Sequence, residues 1–177
     1  MTEEQMYQIA DNFAEAAATC KRCGFDMAMI HAGHGWLLGA FLSPFDNRRK
    51  DKWGGSLENR ARFPLMVLDK IREKVGRDFL LDMRLSVSEG NPPLGFEPDE
   101  AVEFVKMAET HLDMISQSFG TRWNTKTRTL STPSCFHDYA CNIRFAKALK
   151  DGGIKIPVSA LGSLDNPEIA EQILADG

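Results

Sequence analysis

Stretches with apolar residues at helical spacing alternate along this chain with short, continuous apolar runs. The first stretch begins at Thr2, which forms the T-x-x-Q pattern of a capping box with Gln5, and it ends at Gly24. Residues 25–30 follow at once and have the pattern of a buried strand. The opening of the chain is therefore predicted to be a helix that leads directly into a strand.

The same succession of helix and strand recurs three more times. Strands are predicted at residues 25–30, 79–85, 112–116 and 154–161. One helix is predicted from Ser56 to Gly76, and the next begins at Pro98. A further helix ends at Lys150, and the last begins at Asn166-Pro167. A long polar stretch, residues 117–136, precedes the fourth helix. Because parallel strands need crossover connections, this alternation predicts a parallel sheet of βαβ units in an α/β protein.

The length of the chain bounds the domain organisation. A chain of 177 residues can bury a real core as one domain, but a closed (β/α)₈ barrel needs roughly 200 residues or more. Gly177 stands where the glycine after a last helix belongs, and a fifth strand would be expected to follow it. We therefore expect residues 1–177 to form a single, incomplete barrel domain.

Composition and charge exclude several classes of protein. The formal net charge is −4 and the pI about 5.6, so the chain has no overall positive potential that would attract it to nucleic acid or anionic membranes. No apolar run approaches the roughly 20 residues of a membrane helix, and no signal peptide is recognisable. The four cysteines are too few for a disulfide scaffold. These features predict a soluble, cytoplasmic domain.

Candidate catalytic and binding residues lie at the carboxyl ends of the predicted strands, where α/β folds have their active sites. His31 and His34 follow the first strand. Two such imidazoles could ligate a metal in a hydrolase, although no nearby carboxylate completes a ligand set. They could instead donate hydrogen bonds to a substrate oxygen, or one of them could simply cap the strand. The spacing alone leaves these alternatives open.

Two further strand ends carry groups suited to an anionic ligand. Arg84 lies in an otherwise apolar strand, so it either meets an anionic or electron-rich ligand or forms an ion pair with Asp82 or Glu89. Gly162 and Ser163 precede the last helix and supply free backbone N–H groups of the kind that cradle a phosphate.

A long run of residues resembles the old yellow enzyme family. The matching segments are Gly24-Phe25-Asp26, IHAGHG at 30–35, FLSP at 41–44, NRR at 47–49, DKWGGSLENRARF at 51–63 and MRLS at 83–86. The chain is most similar to the 2-enoate reductase and 2,4-dienoyl-CoA reductase branch of the FMN-dependent NAD(P)H:flavin oxidoreductases. The resemblance covers nearly the whole chain and is loosest from 120 to 146.

The resemblance implies a fold and a set of roles. The fold would be a (β/α)₈ TIM barrel with FMN across its mouth, and this chain would supply about strands four to seven. His31 and His34 would hold the carbonyl oxygen of a small-molecule substrate, which polarises its C=C bond for hydride attack. Arg84 would lie beside the flavin ring, and Gly162 with Ser163 would form one of two phosphate turns. NAD(P)H would reduce the FMN, which would then reduce an activated alkene or a related acceptor.

Trp36 departs from the family pattern, because many members have a tyrosine there that protonates the substrate. An indole N–H is a donor but not a useful acid. Trp36 is therefore a candidate residue of the catalytic site without being the proton source. The proton would come from Tyr139 or from water, or the acceptor would be an unusual one.

Other family features have no counterpart in this sequence. The remaining FMN contacts and the iron–sulfur cysteines of larger members are absent, so a cluster is possible only in a longer parent. Cys20 and Cys23 form a C-x-x-C that we interpret as incidental, and we predict no metal site. Cys135 and Cys141 receive no role.

Two segments receive a structural or covering role. Residues 51–63 are predicted to be structural, with a tight turn at Gly54-Gly55 and a charge network of Glu58 with Arg60 or Arg62. Residues 121–128 are predicted to be an exposed loop that closes over substrate.

A second interpretation assigns no catalysis to the chain by itself. An isolated half-barrel exposes the edges of its sheet, and pairing of two copies would cover them. In that case the chain is an inactive piece that would pair as a dimer, and activity resides in a longer parent protein.

Overall fold

A computed structural model describes residues 1–176 of the chain, and Gly177, the predicted helix-ending glycine, lies outside the described residues. In chain order the elements are α1 (Glu3–Arg22), β1 (Met27–Ala32), α2 (Leu37–Leu42), α3 (Leu57–Val75), β2 (Leu80–Ser88), α4 (Pro98–Ala108), β3 (Met114–Phe119), α5 (Thr125–Ser131), α6 (Ile143–Asp151), β4 (Val158–Ser159) and α7 (Pro167–Ala175). The predicted alternation of helices and strands is confirmed.

The four strands form one parallel sheet in the order β1-β2-β3-β4. Neighbours in sequence are neighbours in the sheet, as successive right-handed βαβ crossovers produce. All carboxyl ends of the strands therefore lie at the same edge of the sheet.

One face of the sheet is covered by the helices. Side chains alternate between the two faces of a strand, and the helix-facing set is buried in one core together with residues of the helices. This set comprises Ile30, Leu81, Met83, Leu85 and Ile115. The opposite face is open, since Met29 is 53% and Leu80 45% exposed there.

The first helix begins and ends as its sequence predicts. Thr2 Oγ1 accepts a hydrogen bond from Gln5 N at 3.2 Å, and Gln5 Oε1 accepts one from Thr2 N at 2.8 Å, which confirms the capping box. Likewise Ser56 Oγ accepts from Asn59 N at the start of α3. Each cap satisfies backbone donors that have no partner within the helix.

All four strands begin later than predicted, and for β1 and β4 the physical reason is the same. The sequence places Phe25 and Ile154 at the start of strand-like apolar segments. In the structure the N–H of Phe25 bonds to Cys20 O, and the N–H of Ile154 bonds to Leu149 O. Both residues thus complete the capping motif of the preceding helix, in which an apolar residue follows the glycine. The strand predicted at 154–161 is reduced to Val158–Ser159.

Other departures concern short helices and charge pairing. The helices α2 and α5 were not predicted, because each is too short to show an apolar period. The predicted charge network of Glu58 with Arg60 or Arg62 is wrong. Arg60 binds Glu100 and the carbonyl oxygen of Leu42, and Arg62 Nε donates to Asn59 Oδ1 at 3.0 Å. The tight turn at Gly54 is supported by its surroundings, because a Cβ there would lie 2.3 Å from Arg49 O. None of the helices in residues 1–176 is long and apolar enough to cross a bilayer.

Candidate active site at the carboxyl ends of the strands

The register of the sheet brings the predicted site residues together on its open face. His31 of β1 is paired with Arg84 of β2, and Arg84 with Ser116 of β3. In a parallel sheet, paired residues point to the same face. Ser86 and Ser118 form the next row toward the carboxyl edge. Residues that are far apart in sequence thus line one surface at the mouth of the half-barrel.

The turn after β1 is attached to β2 and to β3 through its second histidine. His34 Nε2 lies 2.8 Å from Ser118 Oγ, and the backbone N–H of His34 donates to Ser86 Oγ at 2.9 Å. His34 adopts a left-handed backbone, φ 57°, which is rare for a residue with a side chain and typical of functional sites. A Cβ on Gly33 would lie 2.8 Å from Ser86 Oγ, so only glycine permits this close approach.

The two imidazoles contact each other and are held neutral near pH 7. His31 Nε2 lies 3.3 Å from His34 Nδ1. Burial, and then the charge of Arg84, lowers the pKa of His31. The same causes, with a contribution from His31, lower the pKa of His34 to about 4. A neutral imidazole has one N–H donor and one acceptor nitrogen, so the neighbours of each ring select its tautomer.

Arg84 forms neither of the ion pairs considered for it. Asp82 Oδ2 accepts from Ser116 Oγ at 2.7 Å. Glu89 Oε2 accepts from Ser43 Oγ and from a backbone N–H, each at 2.8 Å. Among residues 1–176 no carboxylate lies within ion-pair distance of Arg84, and its Nε is buried without a partner. The alternative of an internal ion pair is therefore excluded among the described residues, and the guanidinium is available to a ligand.

Gly162 and Ser163 form a concave turn at the end of β4. Both have a left-handed backbone, with φ of 116° and 52°. The turn is fixed by Gln117, whose Nε2 donates to Leu161 O at 2.7 Å, and a Cβ on Gly162 would lie 2.8 Å from Asn142 Nδ2. Successive N–H groups in such a turn make an anion-binding concavity. The phosphate role of this turn stays a prediction.

Trp36 lies at the mouth, half exposed, and stacks on a residue that the sequence analysis did not single out. The guanidinium carbon of Arg122 lies 4.2 Å from the ring centre of Trp36 and 4.1 Å from that of Trp123. The backbone N–H of Arg122 approaches His34 O at 3.4 Å. The aromatic and basic residues of 121–128 were the available signal in the sequence, but their contact with the segment after β1 depends on the fold.

A cleft of about 530 Å³ opens beside this stack. Its walls include Phe45, Asp46, Glu89, Trp123 and Lys126. Burial raises the pKa of both carboxyl groups, Asp46 and Glu89. Sequence reasoning missed the cleft, because its walls come from three loops that are distant in the chain.

The other candidate residues lie away from the histidines. Tyr139 precedes Ala140, whose N–H donates to Ser163 O at 2.9 Å, so Tyr139 belongs to the neighbourhood of the Gly162–Ser163 turn. Cys20 and Cys23 lie where α1 ends, at the edge of the sheet opposite to the mouth. Within residues 1–176 no group of three or more His, Cys, Asp or Glu side chains is arranged to hold a metal ion.

Comparison with known proteins gives a consistent result. The chain is 35% identical over 181 residues to an NADH oxidase of Thermoanaerobacter brockii, a match that covers 100% of this chain and 27% of that protein. It is 36% identical over 185 residues to a bilirubin reductase of Mediterraneibacter gnavus, covering 100% of this chain and 28% of the relative. The chain thus spans about a quarter of the length of these relatives.

A solved structure supports the same relationship. A 2-naphthoyl-CoA reductase complex superimposes with a TM-score of 0.91 at 32% identity, over 100% of this chain and 26% of that one. The solved structures that this chain resembles are TIM-barrel flavoenzymes, so its four-stranded parallel sheet is part of a (β/α)₈ architecture. The sequence model of the family described as NADH:flavin oxidoreductase / NADH oxidase matches residues 1–177. The chain belongs to the NADH:flavin oxidoreductase / NADH oxidase family.

Proposed function

We propose that this chain carries part of the active site of an FMN-dependent oxidoreductase that takes hydride from NAD(P)H and reduces an activated alkene or a related acceptor. The observation that carries the proposal is the row formed by His31 and Arg84. A neutral imidazole pair suited to a carbonyl oxygen lies beside an arginine that no carboxylate of residues 1–176 neutralises.

The residues present fit FMN. Arg84 would hold the flavin ring, because its buried Nε lacks a partner and its positive charge favours negative charge on a reduced ring. Gly162 and Ser163 would hold the phosphate through their backbone N–H groups. FMN supplies hydride transfer between the nicotinamide and the acceptor.

The histidines would bind and polarise the acceptor through a relay of hydrogen bonds. Ser118 Oγ can donate to His34 Nε2, and His34 Nδ1 can then donate to His31 Nε2. With these tautomers His31 keeps its proton on Nδ1, and this N–H donates no hydrogen bond to the residues 1–176 that the structure describes. That N–H is the donor for a carbonyl oxygen, and it would stabilise negative charge that develops there. His34 holds His31 in the donating tautomer.

Trp36 would form a wall of the acceptor site rather than donate the proton. Its ring stacks on Arg122, and an indole does not ionise in a useful range. Tyr139 lies at the Gly162–Ser163 turn, so water is the proton source that we favour.

The first experiment is titration of the purified protein with FMN, followed through quenching of flavin fluorescence. Saturable binding in the micromolar range is expected, and Arg84→Met should weaken it by tenfold or more. The control is Arg22→Gln, because Arg22 is an exposed arginine at the far edge of the sheet. Unchanged FMN affinity in Arg84→Met would contradict the proposed role.

A second candidate function is that of a half-barrel that is inactive by itself. The open face carries exposed apolar side chains, among them Met27 and Met29 of β1 and Leu80 of β2. A second copy, or the rest of a longer chain, would cover this surface. Sedimentation of the 177-residue chain distinguishes the two candidates: a dimer without FMN affinity favours the inactive piece, and a flavin-binding species favours the enzyme.

A further inference from the structure

We infer that Arg122 recognises a carboxylate on the acceptor, so that the acceptor is a conjugated carbonyl compound with a separate acidic group. This inference rests on the proposed function, because it adds a second point of recognition to the site of His31.

The guanidinium of Arg122 is held between two indole rings. Its central carbon lies 4.2 Å from the Trp36 centroid and 4.1 Å from the Trp123 centroid. Cation–π stacking of this kind favours arginine, and it restricts an otherwise flexible side chain. Trp123 lies across Gly35, where a Cβ would be 2.9 Å from the indole Nε1. The stack is thus packed directly against the histidine turn.

Arg122 has no acidic partner. Arg49, Arg60 and Arg72 each pair with a carboxylate, whereas no carboxylate within residues 1–176 lies at ion-pair distance from Arg122. The indoles lie over the guanidinium, so its N–H groups are free in the plane of the group. A planar carboxylate binds arginine in that plane, through two parallel hydrogen bonds.

The position of Arg122 ties this binding group to the carbonyl site. Its backbone N–H approaches His34 O, and the preceding residue, Thr121, forms a bridge with His34. We therefore place the carboxylate of a ligand bound at His31 on the side of the histidine turn where Arg122 lies. The chemical class that satisfies both groups is an unsaturated oxo acid or a half-ester of an unsaturated diacid.

The test uses pairs of ligands that differ only in charge. The flavin-loaded protein is titrated by calorimetry with 3- and 4-acetylbenzoate and with the corresponding acetylbenzamides, which carry the same ketone but no negative charge. We expect the native protein to prefer an acid over its amide. Arg122→Met should weaken binding of that acid about tenfold and leave amide binding unchanged.

Matched variants separate Arg122 from general effects of charge. Arg128→Met removes an exposed arginine of α5 in the same segment and should leave the preference for the acid intact. Arg122→Lys keeps the charge but not the planar pair of donors and should retain only part of the preference. Equal affinity for acid and amide in the native protein, or equal loss of both in Arg122→Met, would overturn the inference.

The readout is independent of turnover. Binding of the acetylbenzoates to oxidised protein needs no electron transfer, so it is measurable even where NAD(P)H does not reduce an alkene. Selective acid binding without turnover would reject the proposed function and support the role of Arg122. Turnover of neutral alkenes with no preference for acids would do the reverse.

Discussion

His31 and Arg84 are partners across the parallel strands β1 and β2 and share the open face of the sheet. This juxtaposition places a permanent positive charge beside an imidazole at the same level of the barrel mouth. Protonation of the ring is disfavoured both by its partial burial and by this charge, so the histidine pKa is lowered. The pairing therefore supplies a neutral donor and a cation side by side, as the roles proposed for them toward a carbonyl oxygen and a flavin ring require.

The stability of the folded protein should fall as pH decreases below about 6.5, through the histidine turn. The pKa of His34 is about 4 in the folded chain, against 6.5 as its ordinary value. Between these values the unfolded state binds more protons, so its population grows as pH falls, and the loss levels off below about pH 4. Melting temperatures from pH 8 to pH 4 measure this effect.

Two histidine variants identify the group responsible for this pH dependence of stability. His34→Gln should flatten that dependence, whereas His137→Gln, which lies outside the turn, should retain it. A dependence that persists unchanged in His34→Gln would contradict the assignment to this residue.

Replacement of Arg84 should cost little stability. Arg84 has a buried Nε without a hydrogen bond and no ion pair among the described residues, so Arg84→Met removes an unsatisfied group. Arg60→Met is the comparison, because Arg60 is buried and binds Glu100 and Leu42 O. Breaking such a buried pair costs about 3 kcal/mol.

Unfolding in urea compares the two variants. A loss in Arg84→Met as large as that in Arg60→Met would show that Arg84 has a structural partner after all.

Gly35→Ala should be more destabilising than Gly55→Ala. Both glycines have a left-handed backbone, with φ of 74° and 88°, so each alanine incurs a backbone cost of about 1 kcal/mol. At Gly35 the new Cβ also meets Trp123 Nε1 at 2.9 Å, whereas nothing lies within 4 Å at Gly55. The difference in unfolding free energy measures the contact with Trp123. Because removal of the indole should abolish that difference, the same pair is measured in Trp123→Ala.

Ser118→Ala should reduce turnover of alkene acceptors while leaving FMN affinity unchanged. The serine is the partner of His34 Nε2, at 2.8 Å, and its loss frees His34 to adopt the other tautomer. His31 then loses the fixed donor on Nδ1, so kcat should fall about tenfold, the effect of one hydrogen bond to developing charge. Ser134→Ala, at an exposed position, serves as control. Equal kcat in Ser118→Ala and the native protein would reject the relay.

Trp36→Tyr should raise turnover of alkenes, because a phenol at this position can supply the proton that an indole cannot. The ring of tyrosine can still stack on Arg122. Trp36→Phe keeps a ring without an O–H group and should give no increase. Steady-state rates with an α,β-unsaturated ester test the pair, and no change in Trp36→Tyr would indicate that the proton already arrives by another path.

Elements whose signals are local could be predicted from the sequence. The capping residues Thr2 and Ser56 act on backbone groups three positions away, and the apolar period of α1 and α3 lies within each helix. The positions of His31 near the end of β1 and of Gly162 after β4 follow from the alternation of helices and strands, whereas Arg84 lies in the middle of β2, because that strand continues to Ser88. The misplaced starts of β1 and β4 have the same local origin, since Phe25 and Ile154 carry a strand-like residue type in a helix-capping position.

The working geometry of the site was decided only by the tertiary structure. The contact of His34 with Ser118 joins residues 84 positions apart, and the stack of Trp36 on Arg122 joins the segments that follow β1 and β3. The freedom of Arg84 from Asp82 and Glu89 depends on which other groups those carboxylates bind. Sequence alone thus determined which chemical groups reach the mouth of the barrel. Strand register and packing decided which of them meet, because contacts across a sheet leave no periodic trace in the chain.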